Sequence, residues 1–256
     1  MKAKGGKKRL DVLVMEQGIA PSREKARALI MSGQVLVDGD LRDKAGALVS
    51  PESEILLRHP PPPYVSRGGI KLAGALDAFG LDVSGLVCLD VGASTGGFTD
   101  CLLLRGAARV IALDVGYGQL AWKLRQDPRV TVMERFNARN LKPGDLDVQP
   151  DLAVMDVSFI SLRLVVGPVQ ECLSASGRIL CMVKPQFEVG KGEVGKKGVV
   201  RDPAKHQRVL EELSAFFTES GLKVEGPVPS PITGPEGNRE FFFLLSRVPA
   251  STEFSS

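Results

Sequence analysis

The sequence predicts an α/β protein: a doubly wound, mostly parallel sheet of seven strands, preceded by a small α+β domain. Three observations predict it. From residue 86 onward, short apolar runs alternate with helical patterns, the signature of strand–helix–strand units on a parallel sheet. A loop of small residues follows the first of these strands. The run His59-Pro60-Pro61-Pro62-Pro63 sets that region apart from a shorter one before it, because consecutive prolines favour polyproline II and exclude helix. Domains are therefore expected at residues 1–59 and 66–248, with a Pro-rich linker at 60–65 and a tail at 249–256.

In the first domain, Leu10, Leu13 and Val14 have helical spacing. Ser22 reads as an N-cap, followed by Glu24 and Lys25 in the first turn and an apolar stripe of Ala26, Leu29 and Ile30. Gly33 stops that helix. Residues 34–37 and 55–58 read as strands, and Asp38-Gly39 as a tight turn. In the second domain, strands are expected at 86–91, 109–115, 130–135, 152–157 and 178–183. Helices are expected over roughly 68–79, 97–105, 117–126, 160–173 and 203–220. The last two strands, 223–229 and 240–246, are joined only by a loop. They pair as a hairpin, which makes the final strand antiparallel.

The chain has 256 residues, 43% hydrophobic and 25% charged, an ordinary soluble composition. No apolar run approaches the ~18 residues of a membrane helix. The N-terminus is charged with no apolar stretch behind it, so it does not read as a secretory signal. Cys88, Cys101, Cys172 and Cys181 lie far apart inside apolar segments, without metal-ligand or redox spacing. They are expected to be buried free thiols of a cytoplasmic protein, and no metal is expected. Net charge is +3. Residues 1–60 hold 11 Lys/Arg and 8 Asp/Glu, whereas the rest of the chain holds 22 of each. The excess in the first domain is what contact with a polyanion would require.

The segment Asp90-Val91-Gly92-Ala93-Ser94-Thr95-Gly96-Gly97-Phe98 is a strand end, a loop and a helix start, where a doubly wound sheet binds ligands. A dinucleotide fingerprint would need glycine at Ser94, so a NAD site fits poorly. Asp114, with Val115 beside it, ends the next strand, about 20 residues on, where an acid can accept from both hydroxyls of an adenosine ribose. The third strand runs into Phe136 and Asn137, and the asparagine amide can read an adenine edge. Together these residues suit a nucleoside-bearing cofactor. Asp156 and Lys184 end the fourth and fifth strands, and Glu240 opens the antiparallel last strand, so topology brings all three to one rim. Lys71 lies on the first helix, and its spacing does not say where it points. Two lysines and two acids at one rim suit proton management, since a lysine held in low dielectric beside another cation gives up its proton more readily. Two ordinary salt bridges are the competing reading.

The set Lys71, Asp156, Lys184, Glu240 resembles the K-D-K-E tetrad of FtsJ-type 2′-O-methyltransferases. Ser66-Arg67-Gly68-Gly69-Ile70-Lys71-Leu72, the glycine loop, Asp156-Val157-Ser158-Phe159-Ile160-Ser161 and Val183-Lys184-Pro185-Gln186-Phe187-Glu188 are similar to segments of the TlyA family, often labelled hemolysin A. Arg9-Leu10-Asp11, Ser22-Arg23-Glu24-Lys25-Ala26 and the stretch 33–39 resemble the S4 RNA-binding domain. The loop has Ser94-Thr95 where the stand-alone enzymes carry a proline.

The resemblance implies a Rossmann-like methyltransferase sheet and methyl transfer from S-adenosylmethionine to a ribose 2′-hydroxyl of ribosomal RNA, at cytidine, with S-adenosylhomocysteine as product. Lys184 would be the base, Asp156 and Lys71 would orient it, and Glu240 would complete the network. Asp156 would also line the cofactor site. For RNA, the expected contacts are Arg9, Ser22, Arg23, Lys25 and Arg27 of the first domain, together with Ser66 and Arg67. Residues 190–198, with Lys191, Lys196 and Lys197 among four glycines, are expected to form a lid over RNA. With only 5% aromatic residues and a single tryptophan, Trp122, a structured RNA read by shape and backbone, in free RNA or ribosomal subunits, suits better than a free strand. The alternatives are a membrane-active hemolysin and a catalytically silent assembly factor. No obligate protein partner is implied.

Overall fold

The computed structural model describes residues 6–58, 63–190 and 192–248. The chain divides into two compact units, residues 1–62 and 63–256. In the first, β1 (Lys8–Arg9) leads into α1 (Leu10–Glu16), and α2 (Arg23–Met31) follows. Ser22 caps α2 by accepting from the Lys25 amide at 3.2 Å, as its position predicts. Next come β2 (Val35–Val37), β3 (Asp40–Arg42), β4 (Leu48–Val49) and β5 (Ile55–Leu57). β2 lies between β3 and β5 in an antiparallel sheet, while β1 pairs with β4. Asp38 and Gly39 both have positive φ, 52° and 86°, which gives the twist a two-residue hairpin needs. Sequence patterning missed β1, β3 and β4, because segments of two or three residues are too short to show periodicity. The helices and sheet close on Leu10, Val14, Ile30, Val35 and Val37.

The second unit is built on β6 (Val87–Val91), β7 (Arg109–Leu113), β8 (Val130–Met133), β9 (Leu152–Met155), β10 (Arg178–Val183), β11 (Leu222–Pro229) and β12 (Phe241–Arg247). Their order in the sheet is β11-β12-β10-β9-β6-β7-β8, with β12 antiparallel to both of its neighbours. Residues alternate along each strand between two apolar layers. Val110, Val154, Leu180 and Phe242 pack with α3 (Gly68–Ala78) and α4 (Gly97–Leu104) through Leu72, Leu76 and Leu102. Leu89, Ile111, Met155, Cys181 and Phe243 pack on the other face with α6 (Val166–Cys172) and α8 (Pro203–Glu219) through Val169, Leu213 and Phe217. Both faces are covered, which is why these strands read as continuous apolar runs.

Two helices differ from expectation. The segment 117–126 forms only α5 (Trp122–Arg125). Gly118 is left-handed, its amide donates to Glu134 at 2.9 Å, and the Ala121 amide donates to the Thr95 carbonyl at 3.1 Å. These tertiary bonds override a local helical pattern that Gly118 already weakens. Within 160–173, a separate turn at Leu162–Leu164, capped by Ser161, precedes α6. Pro168 has no N–H and would clash with the carbonyl four residues back, so the helix starts within one turn of it. α7 (Pro185–Glu188) is a further short helix after β10. The four cysteines are free and buried. Among the described residues, no helix is long and apolar enough to cross a membrane.

Candidate active site

The parallel strands end at one edge of the sheet, and the site residues follow directly: Gly92 after β6, Asp114 after β7, Asp156 after β9 and Lys184 after β10. Glu240 precedes β12, whose reversed direction returns it to the same edge. Lys71, whose direction its spacing left open, points from α3 to Glu240. Its Nζ lies 2.5 Å from Glu240 Oε2, with side chains 9% and 0% exposed. Lys184 Nζ lies 2.5 Å from Asp156 Oδ1 and donates to Ser158 Oγ at 2.8 Å. The four residues thus form two acid–amine pairs. Glu240 is wedged against Gly234, where a Cβ would collide with its carboxylate, and its Oε1 is buried without a partner.

Two cavities open at this edge. The larger, about 940 Å³, is lined by Gly92, Asp114, Val115, Asn137, Asp156 and Ser158, among others. The smaller, about 380 Å³, is lined by Lys71 and the loop residues Ala93, Thr95, Gly97 and Phe98, and by Ser66 and Arg67. Gly92, Ser94 and Asp156 line both, so the two spaces adjoin at these three residues. Gly92 has φ 85°, and a Cβ there would lie 2.7 Å from the Asp156 carbonyl oxygen, so this cradle admits only glycine. Gly96, also left-handed, caps α4 and lines neither cavity.

Asp90 lies beneath the loop, fully buried. Its Oδ2 accepts from Thr99 Oγ1 at 2.6 Å, and its Oδ1 has no partner. Burial pushes its carboxyl up to about 7; the Thr99 hydrogen bond opposes this, and the charges of Asp156 and Asp114 add to it. The Asp114 oxygens accept from the Ser94 amide at 2.8 Å and the Gly116 amide at 2.7 Å, which fixes the carboxylate at the cavity wall. Two expectations are corrected here. Asn137 Oδ1 caps the turn Ala138–Asn140 by accepting from the Arg139 amide at 3.1 Å, so only its Nδ2 is left to read a ligand. Phe136 packs against the core and lines neither cavity.

Arg67 donates to the Thr233 carbonyl at 2.8 Å across the smaller cavity. Lys196 and Lys197 are exposed, but their segment is tied to α8. Arg208 pairs with Glu193 at 2.6 Å, and Lys205 donates to the Glu193 carbonyl at 2.9 Å. Lys191 lies outside the described residues. In the first unit, Arg9 and Arg23 each pair at 3.0 Å with Asp11, which is fully buried. The Arg9 hydrogen bond is the main reason the Asp11 carboxyl is held down at about 2. These two arginines are therefore not independent charges, whereas Lys25 and Arg27 are exposed.

Sequence reasoning missed three residues: Asp11, Ser158 and Glu188. Glu188 accepts from Ser161 Oγ at 2.7 Å and the Leu162 amide at 2.8 Å, joining the loop after β9 to α7. The acid one helical turn after Lys184 was the available signal for Glu188.

Residues 64–247 match the FtsJ-like methyltransferases and residues 8–55 match the S4 domain. TlyA of Mycobacterium tuberculosis, a 16S/23S rRNA (cytidine-2′-O)-methyltransferase, is 48% identical over 238 residues, covering 93% of this chain and 89% of that protein. Hemolysin A of Brachyspira hyodysenteriae is 40% identical over 235 residues, covering 91% and 97%. The solved structure of a hemolysin candidate from Streptococcus thermophilus superposes with a TM-score of 0.73 at 43% identity, covering 97% of this chain and 90% of that one. The chain belongs to the FtsJ-like methyltransferase family, in the S4-bearing group that includes TlyA and hemolysin A.

Proposed function

We propose that this protein transfers a methyl group from S-adenosylmethionine to the 2′-hydroxyl of a cytidine in ribosomal RNA, releasing S-adenosylhomocysteine, and acts in the cytoplasm. The observation that carries this reading is that two cavities share Asp156, which pairs with Lys184, while the smaller of them is also lined by Lys71, which pairs with Glu240. The larger cavity suits an adenosine, with Asp114 for its ribose and Val115 and the Asn137 amide for its base. The Gly92 cradle and the unpartnered Asp90 Oδ1 fit the rest of the same cofactor. When bound, S-adenosylmethionine supplies an electrophilic methyl group on a positively charged sulfur.

The chain's own residues then manage one proton. A ribose hydroxyl is a weak nucleophile at neutral pH. Lys184, as the neutral amine, accepts the 2′-hydroxyl proton at Nζ as the oxygen bonds to the methyl carbon. Asp156 holds that amine in place and balances the ammonium that forms. Lys71, which lines the smaller cavity, is held at the rim by its buried pair with Glu240. The surrounding RNA is held by its phosphates, through Lys25, Arg27 and the paired Arg9 and Arg23, with Ser66 and Arg67 beside the target nucleotide. Lys191, Lys196 and Lys197 extend that contact.

The test is methylation of 16S and 23S RNA by the purified chain, each RNA free and in its subunit, with modified positions mapped by resistance to alkaline cleavage. Protection at discrete cytidines that requires S-adenosylmethionine is expected. Cofactor binding without any protected nucleotide would refute the reading, as would lysis of red cells without cofactor.

A further inference from the structure

Lys184 Nζ has two oxygen partners: Asp156 Oδ1 at 2.5 Å and Ser158 Oγ at 2.8 Å. A neutral primary amine carries two N–H bonds and one lone pair. The Asp156 carboxylate holds the amine by charge, but its Oδ1 makes no hydrogen bond, so this contact alone leaves the amine free to rotate about its terminal bond and turn the lone pair in several directions. The hydrogen bond to Ser158 Oγ engages one N–H and restricts that rotation. We infer that Ser158 is a positioning residue for methyl transfer, the acceptor that aims the Lys184 lone pair at the 2′-hydroxyl. The inference rests on the reading of Lys184 as the base.

The loop around Ser158 is shaped for this task. Phe159, the next residue, has φ 62°, an unfavourable left-handed conformation for a bulky aromatic side chain, and it reverses the chain immediately after Ser158. Two residues further on, Ser161 Oγ and the Leu162 amide donate to Glu188 at 2.7 and 2.8 Å. Glu188 lies on the short helix that Lys184 caps. The base and its hydrogen-bond acceptor therefore ride on two loops that one carboxylate ties together. Ser158 lines the larger cavity and is itself exposed, so its hydroxyl is not needed to fill a core.

Ser158→Ala and Ser158→Thr in the full chain test the inference, with kcat and KM for both substrates, thermal unfolding and the Lys184→Ala variant measured alongside. Ser158→Ala is expected to lower kcat about 10- to 100-fold. KM for S-adenosylmethionine and RNA should stay within about twofold, because the hydroxyl acts on the base and not on binding. The melting temperature should not move, and Ser158→Thr, which keeps the hydroxyl, should recover most of kcat. A parental kcat in Ser158→Ala, or a rise in KM alone, would overturn the inference while leaving Lys184 as the base if Lys184→Ala is inactive. An active Lys184→Ala would remove the base assignment and this inference together.

Discussion

Glu240→Met isolates the buried pair at the rim. Methionine keeps the unbranched length of glutamate and withdraws the charge that faces Lys71. In the parent, Lys71 Nζ and Glu240 Oε2 are 2.5 Å apart, and little water reaches either side chain. Removing one partner of a buried pair strands the other charge, which costs roughly 3–5 kcal/mol. In a domain matched over residues 64–247, each kcal/mol moves Tm by about 2–4 °C, so a fall of roughly 6–20 °C is expected. Replacing both members is a different perturbation. Glu240 Oε1 already lacks a partner, so the parental pair carries part of its desolvation cost unrepaid. Lys71→Met/Glu240→Met should therefore return to within about 2 kcal/mol of the parent. Thermal and urea unfolding followed by circular dichroism, on parent, both single variants and the double variant, decide the matter. A Glu240→Met protein that melts with the parent, or a double variant no more stable than the singles, would refute the reasoning.

Asp90→Asn should stabilise the protein without ligand, and more so at pH 8 than at pH 5. The folded carboxyl is raised from 3.8 to about 7, mainly by burial, so the folded chain holds the proton more tightly than the unfolded one. The stability this confers is complete below the unfolded value and declines as pH rises to about 7, whereas the amide does not titrate. Melting curves across that window check the sign, and a gap that fails to widen with pH would contradict it. Gly92→Ala should abolish binding of S-adenosylmethionine in calorimetry, since the added Cβ meets the Asp156 carbonyl and the backbone is left-handed. Undiminished affinity would show that the cradle is elsewhere.

All seven strands of the large sheet were legible because all but β11 are largely apolar runs of four to seven residues and the connections follow the alternation of a doubly wound fold. The convergence of Asp156, Lys184 and Glu240 followed from topology alone, since strand direction decides which end reaches the rim. What the sequence did not disclose depends on side-chain direction and on loops. Lys71 is one position on a helix whose rotation about its axis is set by packing against the sheet. The helix expected at 117–126 gave way to hydrogen bonds that its Gly118 and Ala121 amides donate to Glu134 and Thr95, residues distant in the chain. Asn137 carried the right chemistry to read an adenine, but its oxygen is spent on a local cap. Arg9 and Arg23 were read as phosphate contacts, and the buried acid that gathers them, Asp11, gave no periodic signal because it occupies an apolar helix position.

The central claim, that Lys184 takes the 2′-hydroxyl proton at a site assembled around one methyl donor, is tested most directly by Lys184→Ala under single-turnover conditions, with cofactor affinity measured on the same preparation. The account predicts that methyl transfer falls by about 10²–10⁴-fold while S-adenosylmethionine binds as tightly as in the parent. Transfer at the parental rate would contradict it, as would a loss of cofactor affinity large enough to account for the lost rate.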